Sequence, residues 1–289
     1  MEFYITAIIL GLCLAAMSSG IFISMKIFNI PDITTDGSYT LGAVITAVLL
    51  TQHWNIYLII PIVMLCGAIA GALTAFIHTR LKIDALLAGI LVMTALYSIN
   101  LTILGRSFVP LINIDTVFTS IHLFNNSIYN EILTGIIFIT IIVLILSYIL
   151  KTDFGIAMRA TGNSASMTRA LGINNNKMKI IGLAMANSLT ALSGFLVAQY
   201  QNFTDINMGI GIVITGLGSV LIGDALINWF NVRKIGWQLF SVITGSIVFQ
   251  LVLAFTLSIG VNPNLLKLST ALFVLIIVAI PKLKFSKHS

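Results

Sequence analysis

Nine apolar runs, most of them long enough to cross a bilayer, fill this chain, and almost no charge falls inside them. A crossing helix needs about 20 apolar residues to match about 30 Å of hydrocarbon. Lipid offers no partners to backbone polar groups, so only helices or closed barrels span it, and continuous runs of this kind are helical. The runs are Tyr4–Ser24, Ser38–Leu50, Tyr57–His78, Ala85–Leu104, Glu131–Leu150, Met178–Gln199, Gly209–Leu226, Trp237–Leu257 and Leu265–Ile280. The expectation is an all-α polytopic transmembrane bundle of about nine crossings, with residues 1–289 forming one domain. The second run is short. A broken or tilted helix that borrows Asn29–Gly37 as non-helical backbone would complete it, which is tolerated at depth only beside protein or a wet cavity.

Composition excludes the soluble classes. Charged residues make up 8% and apolar ones 58% of the chain, against about 25% charged for a soluble domain. The net charge of +6 is no nucleic-acid signal, because the basic residues sit at the ends of the runs, as the positive-inside rule requires. With the N-terminus outside and the C-terminus in the cytoplasm, the inner segments hold Lys26, Arg80, Lys82, Lys151, Arg159, Arg169, Lys177, Lys179, Arg233, Lys234, Lys282, Lys284 and Lys287. That is thirteen of the fifteen basic residues, leaving Arg106 and Lys267 outside. This orientation makes 105–130 a long external loop and 151–174 a cytoplasmic one. Glu2 and the lack of a basic leading segment argue against a cleaved signal peptide. Cys13 and Cys66 lie in apolar runs and read as packing residues.

Two stretches share a pattern. Asp36, Gly42 and Thr46 are spaced as Asp205, Gly211 and Thr215 are. The spans run in opposite directions, so the match reads as an inverted repeat, giving two pseudo-symmetric halves with broken helices; chance among small residues is the competing reading. Ser38, Gly42 and Thr46, like Gly211, Thr215, Ser219 and Gly223, form small ridges. Close packing and a transport site both remain open for them.

Polar residues inside the runs are candidates for a pathway, because lipid would leave them unpaired. Asp36, Ser38, Thr40, Asn100, Asn187, Thr190 and Thr215 form this set, with Ser98, Gly194 and Gln201 on the same spans. Hydrogen bonding between helices is the alternative for each. Asp32, Asp36, Asp84 and Asp224 fall near expected cytoplasmic ends, so no buried carboxylate is expected to serve proton or sodium coupling. A pathway without a fixed charge suits a neutral or zwitterionic solute. No phosphate-binding loop, His-Glu-x-x-His or metal-spaced cluster occurs, so the chain is read as no enzyme, with no cofactor and no metal.

The longest polar interval on the cytoplasmic side, Lys151–Ile173, contains Asn163 as a helix cap and Gly172 as a left-handed stop. Between them lies a helix over Ser164–Leu171, about two turns long and too short to persist alone in water. The pattern Gly155-x-x-x-Arg159-Ala160-x-Gly162-Asn163, followed by Arg169-x-x-Gly172-Ile173, resembles the coupling loop of ABC-importer permeases of the branched-chain amino acid and ribose type. Asn29–Ala43, Leu86–Leu101, Ala191–Gly194 with Val197–Gln199, and Met208–Gly211 look like a subgroup that includes tryptophan-type transporters. Thr168, where that family often has Ala, is a departure expected to matter little.

The resemblance implies a permease subunit that moves a small organic solute, an aromatic or aliphatic amino acid, into a prokaryotic cell across its cytoplasmic membrane. It further implies two ATPase subunits, a second permease copy forming a homodimer, and an extracellular substrate-binding lipoprotein. Gly155, Arg159, Ala160, Gly162, Asn163, Arg169, Gly172 and Ile173 would shape the ATPase-coupling element. A self-contained secondary transporter or channel is the alternative reading.

Overall fold

A computed structural model describes residues 2–120, 124, 127–231, 234–262 and 265–285, without the side chains of 278–285. Arg233, His122 and the tail beyond 285, with Lys287, lie outside the described residues. The elements are α1 (Glu2–Ile21), which continues as a π-helical stretch over Phe22–Ile27; α2 (Thr34–Thr51); α3 (Ile56–Arg80); and α4 (Ala85–Leu104). Then come β1 (Phe108–Pro110), α5 (Val117–Ser120), α6 (Ser127–Lys151), α7 (Asp153–Asn163) and α8 (Ala165–Ala170). The chain closes with α9 (Asn175–Gln201), β2 (Phe203–Asp205), α10 (Ile212–Trp229), α11 (Ile235–Ser258) and α12 (Leu266–Phe285). Among the described residues, seven helices are long and apolar enough to cross a membrane. The other two expected crossings correspond to α2 and α12.

Three helices, α1, α2 and α9, form the centre, and 15 of the 18 residues of α2 are buried. The apolar windows of α1 and α9 are each 78% buried, against 28% for α3 and α4. Water does not drive helices together inside lipid, so close backbone approach has to hold them. That explains the glycines. A side chain at Gly42 would strike the Ala191 carbonyl, and one at Gly194 would strike that of Tyr39, which locks α2 to α9. Gly67 and Gly71 press α3 onto Asn187 and Leu183 of α9 in the same way. The small ridge of α2 is therefore a packing surface. The packing is also reciprocal, since α1 lies along α11 while α3 lies along α9.

Local chemistry sets the ends. Asn55 and Asp84 cap α3 and α4 by accepting from Tyr57 and Leu86 amides. Gly105 at φ 69° closes α4 with its N–H donated to the Leu101 carbonyl. The short antiparallel pair β1–β2 joins Phe108 to Asp205 and Pro110 to Phe203. It sits at the end where Gln199 accepts from the Val117 amide, opposite the end that carries the Lys26–Asp224 ion pair.

The structure corrects the second crossing. It starts at Thr34, so the non-helical backbone covers 28–33 and not Asn29–Gly37. Asp32 accounts for the early start, because it accepts from the Thr34 amide and turns the chain into the helix. The repeated Asp–Gly–Thr spacing does not mark equivalent conformations. Asp36 to Thr46 is helical throughout, whereas Asp205 is in a strand and Gly211, at φ 80°, precedes α10.

Candidate functional site: a buried polar junction and an exposed short helix

The start of α2 lies inside the bundle. Its Ser38 pairs with Asn187 near the middle of α9, eight residues beyond Lys179 and fourteen short of the Gln201 end. Around it is a closed polar network. Ser38 Oγ donates to Asn187 Oδ1 at 2.7 Å, and Asn187 Nδ2 donates to Asp32 Oδ2 at 2.6 Å. The Thr34 amide donates to Asp32 Oδ1 at 2.9 Å, and Thr34 Oγ1 lies 2.7 Å from Thr74 Oγ1 on α3. All these residues are buried. A buried polar group without a partner costs roughly 1–3 kcal/mol, so this network ties α2, α3 and α9 into one arrangement.

Asp36 forms the second half of the junction. The first turn of α10 begins at Gly211, which has no side chain to cap it. The Asp36 carboxylate does this from another helix, accepting from the Gly211 amide at 2.8 Å and the Val213 amide at 2.9 Å. A carboxylate at a helix N-terminus also meets the positive end of the helix dipole. Beside it is a recess of about 20 Å³ lined by Asp36, Gly37, Thr40, Tyr97, Asn100 and Gly209, among others. Asn100 Nδ2 donates to the Gly37 carbonyl at 3.2 Å, and its buried Oδ1 has no partner. A recess of this size holds one water or one similar donor.

Of the residues expected to form a pathway, Asp36, Thr40 and Asn100 converge on this recess. Ser38 and Asn187 face the adjoining network. Thr190 is buried, but its hydroxyl is spent on the Ala186 carbonyl, and half-exposed Thr215 bonds Ile212 within α10. The expectation that no carboxylate is buried is overturned: Asp32 is 4% and Asp36 6% exposed. Neither lies at a water boundary, because α2 begins within the bundle. Ser98 and Gln201 also depart from expectation, since both are exposed; Gln199 is the buried glutamine. Asp32, Thr34 and Thr74 were missed. The Asp-x-Thr turn signature at 32–34 was readable, whereas Thr74 had no signal beyond being polar.

At the basic end, Lys151–Ile173 forms two helices where one was expected. Asn163 ends α7, and Ser164 is the cap of α8 because its backbone is extended (φ −153°) and its hydroxyl accepts from the Met167 amide. The stop at Gly172 is as expected. Gly172, at φ +79°, donates its amide to the Arg169 carbonyl, and Ile173 donates to that of Thr168, which gives a paired left-handed closure.

The glycines of α7 hold it in place. A side chain at Gly162 would strike the Ile27 carbonyl, and one at Gly155 would strike Ile149 and Leu150. Asn29 also donates to the Gly162 carbonyl, at 3.4 Å. Ala160 accepts from the Ser164 amide at the break between the helices. Thr168 matters more than expected: it is fully buried and donates to Asn175 Oδ1 at 2.8 Å, while Asn175 Nδ2 donates to the Ala165 carbonyl. These bonds pin α8 to the start of α9. The outward face of α8 is left bare, with Met167 62% and Leu171 67% exposed beside exposed Arg169. Arg159 does not join that face; it lines a separate pocket with Lys151 and Lys234.

A multi-pass helical bundle with a buried polar junction and a short amphipathic element beyond its spans has the construction of a membrane transport component. The chain matches the model of the family described as branched-chain amino acid transport system / permease component over residues 3–281, and it belongs to that family. It is similar to a tyrosine transport system permease protein of Clostridioides difficile, at 40% identity over 96% of this chain and 90% of the relative. An uncharacterized protein of Rickettsia prowazekii is 34% identical over 93% of this chain and 94% of its own length. A ribose import permease protein of Haemophilus influenzae is 26% identical over 74% of this chain and 66% of its own. No solved structure matches. The chain is thus a multi-pass cell-membrane permease of the ABC-importer class, whose members are transport components that work with ATPase and substrate-binding components.

Proposed function

We propose that this permease carries an amino acid with an aromatic or aliphatic side chain into the cell, and that α7 and α8 couple it to ATP hydrolysed by a separate subunit. The coupling reading is carried by the bare Met167–Leu171 face of a helix too short to stand alone. The solute reading is supported by the 40% identity to the tyrosine permease. In this reading 151–174 is cytoplasmic, 105–130 and the N-terminus are external, and residues 1–289 act as one domain.

Two permease copies meet two ATPases and one extracellular substrate-binding lipoprotein. ATP-driven closure of the ATPases pulls on α8. The pull passes through Thr168–Asn175 into α9 and through Gly162–Ile27 into the end of α1. Gly155, Arg159, Ala160, Gly162, Asn163, Gly172 and Ile173 shape the element, and Arg169 sits on its outer face. The reciprocal packing of α1 on α11 and α3 on α9 supports two inverted halves that rock about the junction. Ser38, Asn187 and Thr190 form the frame of the pathway, Asp36, Thr40 and Asn100 a polar recess beside it, and Thr215 a neighbouring position on α10.

A second reading, a self-contained secondary transporter, is favoured by the buried Asp32 and Asp36 carboxylates. Uptake of labelled tyrosine, leucine and ribose into vesicles holding the full assembly separates the two. Uptake that stops with a hydrolysis-dead ATPase, and an ATPase no longer stimulated when the permease carries Gly162→Pro, supports coupling. Undiminished uptake with the dead ATPase supports the second reading. Ribose uptake without amino acid uptake rejects the solute assignment.

A further inference from the structure

At the basic end, α6 finishes and α11 begins side by side, and α7 closes the gap between them. The resulting pocket has a volume of about 640 Å³ and is lined by Lys151, Arg159, Lys234, Val143, Trp237 and Phe240, among others. The three cations come from the end of α6, from α7 and from the residue just before α11, and no acidic side chain is in the lining. Among the described residues the one ion pair is Lys26–Asp224, so none of the three is neutralised by a carboxylate. The Nε of Arg159 is buried without a hydrogen-bond partner. The 24-residue helix α11 starts here with no side-chain cap on Lys234, and the Trp237 and Gln238 amides donate to the Lys234 carbonyl.

We propose that this pocket holds the phosphate headgroup of an anionic phospholipid. Phosphate oxygens accept from guanidinium, ammonium and helix-start amides alike. A lipid fits better than a soluble phosphate because the remaining wall is hydrocarbon. Trp237 is 61% and Phe240 53% exposed, and they continue the lipid-facing surface of α11. Leu144 and Tyr148 do the same on α6, at 64% and 74%. The headgroup would sit where two span-length helices reach water, with an acyl chain running down along Val143 and Phe240. Basic pockets between helices at such a boundary take anionic headgroups. A zwitterionic lipid would bring its own cation into a site already holding three.

The test is native mass spectrometry of the purified chain titrated with phosphatidylglycerol or phosphatidylcholine. One phosphatidylglycerol should be retained about tenfold more firmly than phosphatidylcholine. Lys151→Gln with Lys234→Gln changes side chains at helix boundaries, so the fold should persist, as an unchanged thermal midpoint would show; the preference should fall to near unity. Arg159→Gln should lower it separately. Equal retention of the two lipids, or an unaltered preference in the double variant, overturns the proposal. Displacement of phosphatidylglycerol by millimolar inorganic phosphate or glycerol phosphate also overturns it, assigning the pocket to a soluble phosphate. The readout needs no ATPase and no transported solute, so it stands apart from the coupling proposal.

Discussion

The junction around Asp32, Asp36 and Asn187 and the short helix α8 are both polar interruptions of an apolar chain, and they are built in opposite ways. In the junction the side chains of Ser38, Asn187, Asp36 and Thr34 meet partners from other segments, and Asn100 Oδ1 is left without one. In α8 the partners lie inward, through Thr168 and Asn175, while Met167 and Leu171 are bare. A buried group must be satisfied from within its own chain or by a bound water or ligand. An exposed apolar face beyond the spans is, in the coupling reading, covered by a second protein. In the proposed reading the first region governs the stability and gating of the permease, and the second governs what it assembles with.

This contrast can be broken by mutation. The largest effect is expected for Asp36→Ala, which strips the cap from α10 and leaves the partly buried Gly211 and Val213 amides bare. A loss of about 2–4 kcal/mol is expected, read as a large fall in the midpoint of unfolding in detergent. Asn187→Leu removes the bonds to Ser38 and Asp32 and should cost about 2–3 kcal/mol in the same assay; an unshifted midpoint would show that the network is not what binds α2 to α9. Leu171→Asp should leave the midpoint within about 0.5 kcal/mol, yet lower stimulated ATP hydrolysis in the assembled complex about tenfold. A normal rate would remove α8 from the docking face. Ser98→Ala is the smallest. Ser98 is exposed on α4, so midpoint and uptake should both stay at wild-type values, and a measurable fall would place a partner on that face.

Much of the local structure of the proposed coupling element is readable in the sequence. Gly172 stood where a left-handed stop was needed, and Gly155 and Gly162 had a spacing that close packing explains. The position of the cap was not readable, because Asn163 and Ser164 are both good caps. The choice fell to Ser164 once Gly162 had to press against Ile27 and carry α7 one residue further. The junction was half legible. Its residue types stood out against an apolar background, but Asp32 and Asp36 looked like boundary residues because short-range pattern does not give depth. Gln199 and Gln201 were indistinguishable until the end of α9 was placed.

The sequence by itself determined that this chain is a helical membrane bundle, roughly where each helix lies, and which loop carries the short helix. Apolar run length against bilayer thickness decides the first two, cap and stop residues decide the third, and each is local. Only the tertiary structure decided that the second helix starts inside the bundle, that its aspartate caps a helix 175 residues away, and that Arg159 of the loop lines a pocket apart from the exposed face of α8. Those outcomes depend on which backbones come close enough to touch. In lipid, where burial alone rewards no particular neighbour, glycine contacts and unpaired polar groups make that choice.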